Sequence, residues 1–129
     1  MGAMRKTLFS ILAVLGACGG GGSDLSPREG CEELSSSLCA RYYTCFTAAE
    51  LQAAGFPATE AACVTAYSQM LGCSAVTNEN ACDGNERYDG EAAGDCVDQV
   101  GGLECAQVRD EEFDFEVAAP ACGRVCVVE

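Results

Sequence analysis

The 129-residue sequence has no histidine, no tryptophan and only three prolines. Without an imidazole it has no Ser-His-Asp or Cys-His catalysis, no histidine-liganded zinc and no histidine pH switch. It also lacks a Cys-x-x-Cys pair, the spacing typical of zinc ribbons and thioredoxin-like redox centres. The nearest approach is Cys122-Gly-Arg-Val-Cys126, whose gap is longer. These absences disfavour catalytic, redox and metal-dependent functions, and no metal or cofactor is expected.

Cysteine, by contrast, is abundant, with 11 residues in the chain. This content in a short chain is typical of an exported disulfide scaffold, because a small domain buries too little apolar surface to be stable without cross-links. Setting Cys18 aside leaves an even number, which predicts five disulfides. The cysteines expected to form them are Cys31, Cys39, Cys45, Cys63, Cys73, Cys82, Cys96, Cys105, Cys122 and Cys126.

The pairing of these cysteines stays open at this point, although helix geometry restricts it. If Cys31, Cys39 and Cys45 share a helix, they lie about 12 Å and about 9 Å apart along its axis. A disulfide allows a Cα separation of only about 7 Å. The sequence therefore predicts that each bridge links two different elements.

Residues 1–17 have the features of an export signal. Arg5 and Lys6 precede a short apolar segment over residues 7–15. A transmembrane helix needs about 20 consecutive apolar residues, so this segment is too short to span a bilayer. We expect residues 1–17 to be removed after export.

The end of this signal, Leu15-Gly16-Ala17-Cys18, resembles the lipobox of bacterial lipoproteins. The resemblance implies cleavage before Cys18, a diacylglyceryl group on its sulfur and, usually, acylation of its new amino group. Two or more acyl chains make a stable membrane anchor. The alternative is an ordinary secretory signal with Cys18 in a disulfide. Leu15 argues against such a signal, because a small residue normally occupies the third position before its cleavage site.

The residues after the lipobox form a flexible tether rich in glycine. Gly19 rather than aspartate follows the cysteine, which by the commonest sorting rule of bacterial lipoproteins implies the outer membrane. We therefore predict three segments: a signal peptide over 1–17, a lipidated cysteine and tether over 18–26, and a cysteine-rich domain over 27–129.

Caps and helical spacing predict an all-α, small disulfide-rich domain with three to four short helices, five inter-element disulfides and an irregular C-terminal segment. The expected helix starts follow Ser26, Thr47 and Thr59, with a fourth near Gly90. The expected stops are Gly55, Gly72 and Gly101-Gly102. A loop is expected over Thr77 to Gly90, a strand-like segment around Phe113 and Phe115, and a last turn holding Cys122 and Cys126.

The order of cysteine-bearing helices, followed by Leu103-Glu-Cys105 and Pro120-Ala-Cys122, resembles small cysteine-rich lipoproteins abundant in myxobacteria and related deltaproteobacteria. The resemblance covers most of residues 31–126. That family is largely uncharacterised, so the resemblance implies the compartment and the helical scaffold but no catalytic residues.

The chain after residue 17 carries all 20 acidic side chains against five arginines, a balance of −15. This negative charge excludes nucleic acid as a partner and repels anionic headgroups. The lipid on Cys18, and not the protein surface, must therefore hold the protein at the membrane. Two acidic clusters are weak calcium candidates, and neither matches an EF-hand loop; solvation is the favoured interpretation. The first contains Asp83, Asn85, Glu86, Asp89 and Glu91, and the second Asp110, Glu111, Glu112, Asp114 and Glu116.

Two further features bear on function. Serines such as Ser35 lack a histidine base and are expected on helix surfaces or at caps. Phe113 and Phe115 lie in an acidic run, where we favour packing of one ring on the scaffold over a contact with a protein partner. We therefore expect a non-enzymatic, membrane-anchored binding or structural module of the bacterial cell envelope. A small exported enzyme or thiol-redox protein is the alternative.

Overall fold

The computed structural model of the chain describes residues 23–128. Within this range the chain forms six α-helices, two short 3₁₀ helices and one two-stranded antiparallel sheet. The α-helices are α1 (Pro27–Cys45), α2 (Ala48–Ala53), α3 (Glu60–Met70), α4 (Gly90–Gly101), α5 (Cys105–Val108) and α6 (Phe115–Ala118). The 3₁₀ helices are Cys73–Ala75 and Pro120–Arg124, and the strands are β1 (Glu86–Tyr88) and β2 (Cys126–Val128). The predicted class, a small disulfide-rich helical domain, is confirmed. Residues 23–128 form six α-helices instead of the predicted three to four, because the four-residue helices α5 and α6 lie in the C-terminal segment predicted to be irregular.

The predicted helix starts are correct because side-chain caps set them. The Ser26 hydroxyl accepts the Glu29 N–H at 3.3 Å, and the Glu29 carboxylate accepts the Ser26 N–H at 3.0 Å. Thr47 and Glu50 form the same reciprocal pair at the start of α2. Thr59 caps α3 through its hydroxyl. Each cap satisfies N–H groups that have no partner within the helix.

The predicted stops after α2 and α3 have the backbone conformation that requires glycine. Gly55 has φ +82° and Gly72 has φ +68°. A residue with a Cβ rarely adopts this left-handed conformation, so the chain leaves each helix at these points.

Helix α1 is the axis of the fold, with α3 and α4 packed against it. The central cluster of buried residues comes from α4 and the segments after it, and contains no aromatic side chain. Its members are Cys96, Val100, Leu103, Ala119 and Ala121. An apolar core of this size stabilises a domain only marginally, which leaves a large share of the stability to the covalent cross-links.

The five disulfides join different elements, as predicted. Helix α1 alone carries three of them, to the first 3₁₀ helix, to α3 and to α5. The pairs are Cys31–Cys73, Cys39–Cys63, Cys45–Cys105, Cys82–Cys126 and Cys96–Cys122. All ten cysteines of residues 23–128 are therefore paired with one another.

The predicted loop over Thr77 to Gly90 contains strand β1, which the sequence did not indicate. Strand β1 pairs with β2 in antiparallel register, with Arg87 opposite Val127. The strand has only three residues and its partner lies about 40 residues away along the chain, so no local alternation or hairpin turn marks it.

The strand-like segment predicted around Phe113 and Phe115 is wrong. Phe115 is the first residue of α6, and the Asp114 side chain accepts the N–H groups of Glu116 and Val117 at 3.0 and 3.3 Å. The acidic residue between the two rings is therefore a helix cap, not the solvent-facing position of a strand. The predicted last turn holds Cys122 only, because Cys126 lies in β2.

Contacts of the domain begin inside the predicted tether. Leu25 is buried, and its N–H donates to the Gly90 carbonyl oxygen at 3.1 Å. The predicted signal peptide over residues 1–17, the predicted lipidation site Cys18 and residues 19–22 of the predicted tether lie outside the described residues. No helix within residues 23–128 is long and apolar enough to cross a membrane.

Candidate functional site

Five of the ten bridged cysteines are buried and the other five are partly exposed, and none of the ten presents a free thiol. Cys39 and Cys63 are both fully buried, and their bridge holds α3 onto α1. Cys122 and Cys126, the nearest approach to a redox motif in the sequence, belong to two different bridges. They therefore do not form a vicinal dithiol pair.

An aromatic pocket of about 490 Å³ opens at the C-terminal end of α1. None of its lining side chains is charged, although one residue in five of the chain is. The lining residues are Tyr43, Phe46, Ala48, Leu51, Gln52, Phe56, Pro57 and Ala58. The Tyr43 hydroxyl donates to the Pro57 carbonyl oxygen and so fixes the loop after α2 against α1. The Tyr42 ring packs against the Phe56 ring, with the ring centroids 5.1 Å apart.

Arg109 lies beside this pocket, against Phe46 of its lining, and joins three helices. Its guanidinium donates to both carboxylate oxygens of Glu50, at 2.6 and 3.1 Å, and to the Cys45 carbonyl oxygen at 2.8 Å. It also lies over the Phe46 ring, 4.7 Å from the centroid. The hydrogen bonds from Arg109, and then the N–H of Thr47, lower the pKa of Glu50 to about 2. Sequence reasoning missed this group because 59 residues separate the two charges.

Comparisons with family models, curated proteins and solved structures find no match to this chain. The function of the aromatic pocket and of the disulfides is therefore argued from the chemistry of their residues. The aromatic pocket, Arg109 and the disulfide frame all belong to the described domain.

A second cavity, of about 250 Å³, lies between α1 and α4 beneath β1 and the segment after α3. We call it the apolar cavity because no charged residue lines it. Its lining residues are Pro27, Gly30, Cys31, Leu34, Leu71, Val76, Ala81, Tyr88, Ala93, Cys96, Val97 and Val125. Its one side-chain oxygen, the Tyr88 hydroxyl, donates to the Ser26 carbonyl oxygen at 3.2 Å.

Two glycines let the N-terminal segment and Tyr88 pack closely at one end of this cavity. A Cβ at Gly30 would lie 2.7 Å from the Tyr88 hydroxyl. A Cβ at Gly90 would lie 2.5 Å from the Leu25 carbonyl oxygen and would also collide with the Asp24 carboxylate. Burial, and then the charges of Asp24 and Asp89, raise the pKa of Tyr88. Negative charge therefore surrounds the point where the tether meets the domain.

Several acidic side chains of the two clusters accept hydrogen bonds from backbone N–H groups of nearby residues, and the clusters do not form a cation site. Asp89 caps α4 and Asp114 caps α6, while the Asp110 carboxylate accepts the Glu112 N–H at 3.0 Å. Among residues 23–128 no three acidic or cysteine side chains are placed to hold a metal ion. Calcium binding by these clusters gains no support from the geometry.

Both aromatic rings of the acidic run pack on the scaffold. Phe113 and Phe115 lie edge to face, 6.3 Å apart, against the central cluster. Both are half-buried rather than exposed. This packing accounts for the two rings, and a contact with a protein partner there stays a prediction.

Ser35 does not lie on the helix surface as expected. It is fully buried, and its hydroxyl donates to the Cys31 carbonyl oxygen at 2.9 Å. This hydrogen bond to the preceding turn gives the buried Ser35 hydroxyl a partner, so the side chain can face the first 3₁₀ helix. Ser35 lies four residues from both Cys31 and Cys39, so helical spacing places it on the face that carries these bridged cysteines.

Proposed function

We propose that this chain is a lipid-anchored, cysteine-rich module of the bacterial cell envelope, located at the outer membrane, with a binding or structural role and no enzymatic one. The observation that carries the proposal is the disulfide pairing. The ten cysteines after Cys18 all form disulfides with one another, so none remains to pair with Cys18 within the chain. This supports the lipobox interpretation over a secretory signal with Cys18 in a disulfide.

The cross-links also support export. Five disulfides persist only in an oxidising compartment such as the periplasm or the cell surface. A cytosolic domain with so small an apolar core would lose these links to reducing thiols and with them much of its stability. The disulfide frame and the export signal therefore point to the same compartment.

The direction of α1 supports a domain held away from the bilayer. The tether joins the domain beside Ser26, at the N-terminal end of α1, where Asp24, Glu29 and Asp89 gather. The helix has 19 residues and is therefore about 28 Å long. The acidic end repels anionic headgroups, whereas the uncharged aromatic pocket lies at the opposite end. Anchored in this way, the domain would present the pocket outward.

The test is metabolic labelling with palmitate in a bacterial host. The unchanged chain should take up label and sediment with membranes, and Cys18→Ser should lose both properties. Gly20→Ala, which alters the tether but leaves Leu15 to Cys18 intact, is the matched control and should behave as the unchanged chain. Label retained by the Cys18→Ser protein would refute the anchor.

A further inference from the structure

The apolar cavity has the chemistry of a hydrocarbon site. Its walls contain no charged side chain, and its one hydroxyl, on Tyr88, is already bonded to the Ser26 carbonyl oxygen. A polar ligand would lose its bonds to water on entering and would find no side-chain partner in exchange. A saturated chain loses nothing polar and gains contact with Leu34, Val97 and Val125.

The disulfides fix the walls of this cavity. Cys31 and Cys96 belong to the lining, and each is bridged to another element, at Cys73 and Cys122. Ala81 and Val125, also in the lining, directly precede the cysteines of a third bridge, Cys82–Cys126. The cavity is therefore preformed, so filling it requires little further ordering of the protein.

The charges at its edge select against free anionic lipids. Tyr88 also lines a neighbouring polar hollow that contains Asp24, Glu29, Asp89 and Glu91, with Arg87 as its one cation. A fatty acid carboxylate or an anionic phospholipid would approach a predominantly negative rim. An uncharged hydrocarbon chain would not be repelled.

The tether supplies such a chain within reach. It joins the domain at Leu25, two residues before Pro27, which lines the cavity. Cys18 lies seven residues before Leu25 in the sequence, and seven extended residues span at most about 25 Å. The cavity extends along α1 from Pro27 to Leu34, about 10 Å of helix. A linkage this short gives an effective concentration on the order of millimolar.

We infer that the apolar cavity receives part of an acyl chain carried by Cys18 of the same molecule when the protein is outside a bilayer. The inference rests on the proposed lipid anchor. It gives one acyl chain of that anchor a second binding place, the apolar cavity, besides the membrane. In this state the protein would shield part of its own hydrocarbon from water. Insertion into a membrane would withdraw the chain and leave the cavity empty.

Photo-crosslinking of the full-length protein tests this directly. Cells are fed palmitate that carries a diazirine, and the labelled protein is purified, diluted below the critical micelle concentration of the detergent and irradiated. Peptide mapping should place cross-links within the same chain on Leu34, Val97 or Val125. Val97→Trp, which fills the cavity, should reduce these cross-links at least tenfold. Val117→Trp, at a residue exposed on α6, should leave them unchanged.

The intact mass of each variant, taken with its circular dichroism, checks that all five bridges and the helices have formed. If Val97→Trp does not fold, Leu71→Trp at the half-open side of the cavity replaces it. Cross-links scattered over Met70 and Val117, or dimers linked between two chains, would overturn the inference. Failure to incorporate the label at all would instead refute the proposed anchor, so the two failures are distinguishable.

Binding measurements on the unlipidated Cys18→Ser protein separate the tethered chain from free lipid. The neutral fluorophore N-phenyl-1-naphthylamine should bind once per chain, and Val97→Trp should weaken this binding at least tenfold. Free palmitate and phosphatidylglycerol vesicles should not displace the fluorophore. Displacement by either would assign the cavity to free lipid and contradict the inference.

Discussion

Gly90→Ala should detach the N-terminal segment from the domain. The new methyl group would lie 2.5 Å from the Leu25 carbonyl oxygen and 3.3 Å from its nitrogen, and it would collide with the Asp24 carboxylate. Two of these three atoms belong to the backbone, so a side-chain rotation cannot relieve the overlap. The segment must move, and it then loses the hydrogen bond from the Leu25 N–H to the Gly90 carbonyl oxygen.

The size of the effect follows from the burial of Leu25 and from this hydrogen bond. Leu25 is only 8% exposed, and burial of a leucine side chain contributes about 1.5–3 kcal/mol. Loss of the hydrogen bond adds about 1 kcal/mol. Alanine gains up to about 1 kcal/mol over glycine in a helix, and less at its first residue. The free energy of unfolding should therefore fall by about 1.5–4 kcal/mol.

The assay is urea unfolding of the oxidised protein, followed by circular dichroism. Gly101→Ala at the other end of α4 is the matched control, because its Cβ would meet only the Ser37 hydroxyl, at 3.9 Å. The control should be as stable as the unchanged protein or slightly more stable. Equal stability of Gly90→Ala and the unchanged protein, with the Leu25 amide still protected from hydrogen exchange, would refute the close packing of Gly90 against the N-terminal segment.

Three further predictions concern the cross-links and the ion pair. The intact mass of the oxidised mature protein should lie about 10 Da below its reduced mass, from two hydrogens lost per bridge; a thiol that titrates in the native protein would instead favour the redox alternative. Removing the Cys39–Cys63 bridge by paired alanine substitutions should cost about 3 kcal/mol, measured by urea unfolding, because the bridge closes a loop of 24 residues. The pKa of Glu50 is lowered from 4.5 to about 2, so its pairing with Arg109 stabilises the fold above pH 4.5 and is lost as the pH falls towards 2. Thermal melts from pH 5 to 2 should therefore show a shallower loss of stability for Glu50→Gln than for the unchanged protein or the control Glu60→Gln, and parallel curves would contradict the assignment.

The sequence predicted the features that depend on neighbouring residues. Caps at Ser26, Thr47 and Thr59 and the stop glycines after α2 and α3 involve atoms within a few residues of one another, so local chemistry determines them. The helical class and the bridging of separate elements followed from these boundaries and from the spacing of Cys31, Cys39 and Cys45.

The features that the sequence did not predict depend on distant parts of the chain. Strand β1 forms only because β2 returns beside it, and Glu50 meets Arg109 only after α5 has packed on α1. The alternation around Asp114 was misread because a helix cap and a strand can share the same polar pattern. Neither cavity could be predicted, since each is space left between side chains from several elements.

The pairing of the cysteines has a consequence for proteolysis. The loops closed by Cys31–Cys73, Cys45–Cys105 and Cys82–Cys126 overlap in turn along the chain. Every peptide bond between Cys31 and Cys126 therefore lies inside at least one closed loop. A single cut by a protease anywhere in that span would produce two polypeptides that stay covalently joined, so the cut domain would keep both of its ends.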